Sequence, residues 1–295
     1  MKKLIVTGTI GVVLLGAIGW QILIFYWKYE YGQTLPKVEI MTGDVNRVYY
    51  LYVPGHLNKK PAPLLLAFHG GDGGGYRFPQ QSSFEALANS NGFILAFPEA
   101  KHLESNEGGW QLNTRADSTQ DIDYVKAVID DIASKHKLDQ KRVYATGYSL
   151  GSMFNYEIAC HLADRFAAIA SYAGTMPLNP DSCDQPHPTP IMHLHGKADG
   201  IITYGNEWNW KAWDSVGTMR DIRSLMEFWS DKYNCKKIVD TTKGDVQHVI
   251  HSNCDRNSRI EHYGLAGQGH AWPESINDIS TYQVIWNFLS KFRLD

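Results

Sequence analysis

Apolar residues recur along this chain in two distinct rhythms. Lys37 to Met41 and Asn46 to Val53 alternate and are rich in β-branched and aromatic side chains, with Thr42-Gly43-Asp44 between them, which predicts a β-hairpin. Farther on, Leu64–Phe68, Phe93–Phe97, Val143–Ala145, Ala167–Tyr172 and Ile191–Leu194 are short unbroken apolar runs, the pattern of parallel strands buried on both faces. Between them the period lengthens. Ser118 to Lys137 carries Ile122, Val125, Ile129 and Ile132 on one stripe, with Ser118 placed to cap and Lys135 and Lys137 at the C-terminal end, which predicts a helix. Met219-Ile222-Met226-Trp229 and Ile279-Tyr282-Ile285-Phe288 repeat at helical spacing too. Alternating strands and helices predict an α/β fold, a mostly parallel sheet opened by an antiparallel hairpin and covered by helices on both faces. With no internal repeat and no Pro- or Ser-rich linker, one domain over 36–295 is expected.

The first 30 residues read differently. Met1-Lys2-Lys3 precedes 24 uncharged residues, Leu4 to Trp27, long enough to cross a bilayer core, with Trp20, Tyr26 and Trp27 at its outer end. The segment predicts an export signal. It is either an anchor or a cleaved peptide, and the poor cleavage site at Leu15-Gly16-Ala17-Ile18-Gly19 favours the anchor. Residues beyond about 30 are then expected in the periplasm or outside the cell, with the N-terminal segment as the membrane contact.

The whole chain has 28 Lys plus Arg against 31 Asp plus Glu, and removing Lys2, Lys3, Lys28 and Glu30 leaves 25 against 30. A mildly acidic surface does not suit a phosphate backbone, so nucleic acid is not an expected partner. Export also gives the four cysteines a meaning. Cys160, Cys183, Cys235 and Cys254 show no Cys-x-x-Cys spacing and read as disulfides, for which three connectivities are open; the sequential one closes two short loops.

Candidate chemistry centres on Thr146-Gly147-Tyr148-Ser149-Leu150-Gly151, where a predicted strand runs through Gly-x-Ser-x-Gly into a predicted helix, Phe154 to Leu162. The pentapeptide alone is a weak pattern, but strand before and helix after are the context in which a strained turn exposes a nucleophilic serine. Ser149 is the candidate nucleophile. A serine needs a base and the base an orienting acid. Asp199 follows the run Ile191–Leu194, and His270 lies in the glycine-rich Gly267-Gln268-Gly269-His270, giving the chain order serine, acid, histidine. Asp199 also suits a plain turn. His193 and His195 could share a strand face and bind a metal, but no third ligand is suggested, and neither metal nor cofactor is expected. Oxyanion donors are expected at the Leu150 N–H and in His69-Gly70-Gly71-Asp72-Gly73-Gly74-Gly75, at Gly71. That loop lacks the Gly-Lys-Ser/Thr of a phosphate cradle.

Taken together, Arg47 to Pro54, Pro63 to Gly70, Asp121 to Val125, the serine turn, His195-Gly196 with Asp199, and Gly269-His270-Ala271-Trp272-Pro273 resemble the secreted α/β-hydrolase esterases of the polyhydroxybutyrate depolymerase-like or feruloyl esterase-like family. The resemblance implies an α/β-hydrolase fold, a serine esterase working through Ser149, His270 and Asp199, and cysteines paired Cys160 with Cys183 and Cys235 with Cys254. Ser149-Leu150-Gly151-Ser152 and Thr203 depart from the Ser-Asn-Gly-Gly and proline common in relatives, which touches substrate choice more than the triad. The expected substrate is a small or polymeric ester of short-chain or aromatic acyl groups, met by Trp272 and Trp110; Trp208, Trp210 and Trp213 serve equally as packing. A serine peptidase would use the same groups. A catalytically silent surface binding protein is the other alternative.

Overall fold

The computed structural model describes residues 32–57, 60–71, 75, 77–100, 109–185, 187–210 and 216–295. The expected N-terminal anchor lies outside the described residues, among which no helix is long and apolar enough to cross a membrane. The chain divides into two compact units. In the smaller, Met1–Thr34 with Gly75–Arg77, the Gln33 N–H donates to the Gly75 carbonyl at 2.8 Å. The larger, Leu35–Gly74 with Phe78–Asp295, carries the sheet and all the candidate catalytic residues.

Its strands are β1 (Lys37–Thr42), β2 (Val45–Tyr52), β3 (Ala62–Phe68), β4 (Ile94–Pro98), β5 (Leu138–Tyr148), β6 (Ala168–Tyr172), β7 (Ile191–Gly196), the short pair β8 (Trp208–Asn209) and β9 (Thr218–Met219), β10 (Lys237–Lys243), β11 (Val246–Ser252), β12 (Ile260–Leu265), and the short pair β13 (Ser275–Ile276) and β14 (Ile279–Ser280). The helices are α1 (Gln81–Asn91), α2 (Gln120–Lys135), α3 (Leu150–His161), α4 (Ile222–Lys232) and α5 (Thr281–Leu289). Ten strands form one sheet in the order β1-β2-β4-β3-β5-β6-β7-β12-β11-β10. From β4 to β12 the pairings are parallel, and an antiparallel hairpin closes each edge, β1–β2 at one and β10–β11 at the other.

This is the α/β-hydrolase fold, and the burial explains the sequence runs. On β3, Leu64, Leu66 and Phe68 point into a core shared with α2, α3 and α4, while Leu65 and Ala67 point into a second core shared with α1 and α5. A strand covered on both faces must be apolar at every position. Arg47 on β2 and Asp121 on α2 form a buried ion pair at 2.8 Å, joining two of the sequence segments that carry the family resemblance.

Several boundaries differ from expectation. Ser118 does not cap α2: Thr119 holds that position, and the Ser118 oxygens accept from the Gln111 amide. Met219 and Ile279 lie in short strands ahead of α4 and α5. The α4 cap is Asp221, whose Oδ1 accepts from the Ser224 N–H at 2.9 Å.

Candidate active site

Chain order reverses across the sheet between β3 and β5: β4 lies on one side of β3 and the later strands on the other. In open α/β sheets ligands bind beyond the carboxyl ends of the strands at such a point. Ser149 follows β5 and His69-Gly70-Gly71 follows β3 at that edge.

The serine turn is held by close packing. Ser149 has φ 54° and ψ −118°, a strained conformation for a residue with a side chain. Its N–H donates to the Tyr172 carbonyl of the neighbouring strand at 2.9 Å. A β-carbon at Gly147 would stand 2.2 Å from the Gly151 carbonyl oxygen, and one at Gly151 would stand 2.1 Å from that of Phe68, so only glycine fits on either side.

The predicted base and acid meet the serine in line. His270 Nε2 lies 2.9 Å from Ser149 Oγ, and His270 Nδ1 lies 2.8 Å from Asp199 Oδ2. Because the carboxylate can only accept, Nδ1 carries the proton and Nε2 accepts from the serine hydroxyl, the tautomer that general-base work requires. Asp199 Oδ1 accepts from the N–H groups of Ile201 and Ile202 at 2.8 and 2.9 Å, and His195 Nε2 stands 3.4 Å from Oδ2. Burial pushes the Asp199 carboxyl up, but the hydrogen bonds from His195, His270 and these two amides outweigh it and hold the acid well below the usual carboxylate range.

The loop that carries His270 is tied down from three sides. Tyr148 Oη donates to the His270 carbonyl at 3.2 Å, Tyr172 Oη to that of Ala271 at 2.7 Å, and the Ala198 N–H to that of Gln268 at 2.9 Å. Neither tyrosine stands out in the sequence, where both read as ordinary strand residues.

Of the expected oxyanion donors, Leu150 opens α3 and Gly71 follows β3. The structure adds His69, which sequence reasoning left out. Its Nδ1 donates to the Gly70 carbonyl at 2.6 Å, and its Nε2 accepts from the Ala100 N–H at 3.0 Å. Burial holds this imidazole below its ordinary pKa, in keeping with a neutral ring that donates through one nitrogen and accepts through the other. The carbonyl it grips belongs to the Gly70–Gly71 peptide, whose planarity aims the Gly71 N–H the opposite way. The clue in the sequence was the histidine directly before the glycine run.

The tryptophans divide. Trp110 is not a ligand contact: it is 1% exposed, stacks on Phe154 with ring centres 4.8 Å apart, and donates from Nε1 to the His69 carbonyl at 3.0 Å. A satisfied indole N–H lets the ring sit in the core, where it braces the His69 loop. Trp272, on the same loop as His270, is half-buried against Tyr172, Phe78 and Tyr148. Trp208 and Trp210 pack on each other at 5.3 Å, and Trp213 lies outside the described residues. His193 and His195 do share a face of β7, but they bond to each other, and no cluster of metal-ligating side chains occurs among the described residues. Disulfides join Cys160 to Cys183 and Cys235 to Cys254.

Residues 47–183 match the family described as Esterase PHB depolymerase. The chain is 28% identical over 255 residues to a bifunctional acetylxylan esterase/xylanase of Neocallimastix patriciarum, covering 83% of this chain and 33% of that protein. It is 23% identical over 251 residues to feruloyl esterase B of Piromyces equi, covering 84% and 45%. It thus spans less than half the length of these curated relatives. Among solved structures, an acetyl xylan esterase from Aspergillus awamori superposes with a TM-score of 0.65 at 17% identity, over 88% of this chain and 99% of that one.

Proposed function

We propose that this chain, a relative of the polyhydroxybutyrate depolymerase-like and feruloyl esterase-like proteins with the α/β-hydrolase fold, is an exported serine esterase. The observation that carries the reading is the unbroken line Ser149 Oγ, His270 Nε2, His270 Nδ1, Asp199 Oδ2, with both spacings below 3.0 Å. In this reading His270 takes the serine proton as Oγ attacks an ester carbonyl. Asp199 stays ionised and holds the imidazole tautomer. The N–H groups of Leu150 and Gly71 stabilise the oxyanion, the alcohol leaves with the proton that His270 returns, and water releases the acyl group by the same base.

The substrate class is short-chain or aromatic acyl esters, such as acetyl or hydroxycinnamoyl groups carried on carbohydrate, or a short hydroxyalkanoate. The names of the relatives support this class. The two disulfides support export, since such bonds persist in oxidising compartments. The domain over 36–295 is proposed as the single catalytic unit, with residues 1–30 directing export.

The test is a panel of p-nitrophenyl acetate, methyl hydroxycinnamates, acetylated sugars, hydroxybutyrate oligomers and matched amides, run on the full chain and on Ser149→Ala. Turnover of short or aromatic esters that Ser149→Ala abolishes supports the reading. Faster cleavage of amides than of esters contradicts it.

A further inference from the structure

Behind the acid, a row of buried polar side chains crosses from the serine's helix to the acid's turn. Tyr156 on α3 lies with its Oη 2.6 Å from His193 Nδ1 on β7. His193 Nε2 is 3.1 Å from His195 Nδ1, and His195 Nε2 is 2.9 Å from the Ile202 carbonyl and 3.4 Å from Asp199 Oδ2. All three side chains are fully buried. Their proton positions follow from the ends of the row. The Ile202 carbonyl can only accept, so the ring proton of His195 sits on Nε2 and Nδ1 is left to accept. His193 therefore donates from Nε2 and accepts at Nδ1 from the Tyr156 hydroxyl. Burial agrees: it holds His193 well below its ordinary pKa and raises that of Tyr156, so both stay uncharged.

Every hydrogen bond in the row thus points toward the acid. At its end, His195 grips the Ile202 carbonyl while the Ile201 and Ile202 N–H groups grip Asp199 Oδ1, so one imidazole fixes the turn that fixes the carboxylate. The spacing of residues 193 and 195 serves this end, because alternate residues of a strand face the same side and their rings can bond in sequence.

We propose that His195 is a positioning residue for the catalytic acid, the last donor of a one-way hydrogen-bond chain from Tyr156 through His193 that holds the acid turn in register with the nucleophile's helix. The proposal rests on the esterase reading above. Such a residue acts on kcat through Asp199 and leaves substrate binding alone.

The experiment uses the full chain with p-nitrophenyl acetate. His195→Phe keeps the ring shape and removes both nitrogens; His195→Gln places an amide N–H near the Nε2 position. The expected result is a kcat lower by about 10- to 100-fold for His195→Phe with KM within about twofold, and recovery by His195→Gln to within about fivefold of wild type. The loss should vanish in an Asp199→Asn background, because two residues acting through one contact are not additive. Tyr156→Phe, at the far end, should cost a smaller factor. A His195→Phe enzyme within twofold of wild type overturns the proposal, and so does an equal loss in the Asp199→Asn background, which would mark a general packing defect. If His195→Phe does not fold, nitrogen-15 chemical shifts of the wild-type histidines decide: His195 protonated at Nε2 and accepting at Nδ1 supports the chain, and the opposite tautomer or a cation overturns it. Failure of the esterase reading itself would appear separately, as wild-type protein without turnover that depends on Ser149.

Discussion

Gly196 and Gln268 approach so closely that a β-carbon on residue 196 would stand 2.3 Å from the Gln268 carbonyl oxygen and 2.4 Å from that of Gly269. The strand that leads to the acid and the loop that carries the base are thus packed backbone to backbone, and a methyl group there must push the His270 loop away. Gly196→Ala should lower kcat by at least about tenfold, since small displacements of catalytic groups cost that much. Kinetics on p-nitrophenyl acetate test this, with near-ultraviolet circular dichroism as the folding control; an unchanged kcat would show that the loop does not depend on this contact.

His69→Phe should lower kcat by about tenfold or more with little change in KM. The substitution frees the Gly70 carbonyl from its 2.6 Å bond, and so loosens the peptide that presents the Gly71 N–H. Loss of one oxyanion donor outright costs about 10²- to 10³-fold, which bounds the effect from above. A rise in KM with kcat unchanged would assign His69 to binding instead.

Acid should destabilise the fold in part through His262. This imidazole is buried beside His193 with its Nε2 2.9 Å from Tyr204 Oη, and burial lowers its pKa to about 3. Its unfolded counterpart titrates near 6.5, so between about pH 6.5 and 3 the unfolded chain binds the extra proton and stability falls as pH falls. Urea unfolding at pH 6.5 and 4.5 should show a loss about 2 to 3 kcal/mol smaller in His262→Gln than in wild type. Equal losses would show that His262 does not stay neutral in the fold.

The disulfides should each contribute about 3 kcal/mol by restricting the unfolded chain, given sequence separations of 23 and 19. Cys160→Ser/Cys183→Ser and Cys235→Ser/Cys254→Ser should therefore each lower Tm by several degrees in thermal unfolding. A variant that melts with wild type would show the bond to be dispensable.

What the sequence discloses depends on how strongly burial constrains each residue. Strands such as Leu64–Phe68 are legible because both faces are covered, and the candidate triad stands out because Ser149, Asp199 and His270 each follow a strand or sit among glycines. The β10–β11 hairpin leaves no such mark: Lys237–Lys243 is an exposed edge strand, where neither apolar alternation nor a continuous run is required. Helix α1 escaped because its buried stripe is only Phe84, Leu87 and Ala88, with Gln81 as a polar fourth. Trp110 looks like an exposed loop residue in sequence because it stands beside glycines, and its bond to a backbone carbonyl leaves no trace there. His69, His193 and His195 share that property, for a histidine's role is set by the partners of its two nitrogens.

A nucleophilic Ser149 activated by His270 can be trapped covalently. Treating the full chain with a fluorophosphonate and mapping the adduct by peptide mass spectrometry tests it most directly. The expected result is a single modified serine, Ser149, with labelling absent in Ser149→Ala and slowed by several orders of magnitude in His270→Ala. Protein that stays unlabelled, or an adduct on Ser152 that persists in Ser149→Ala, would contradict it.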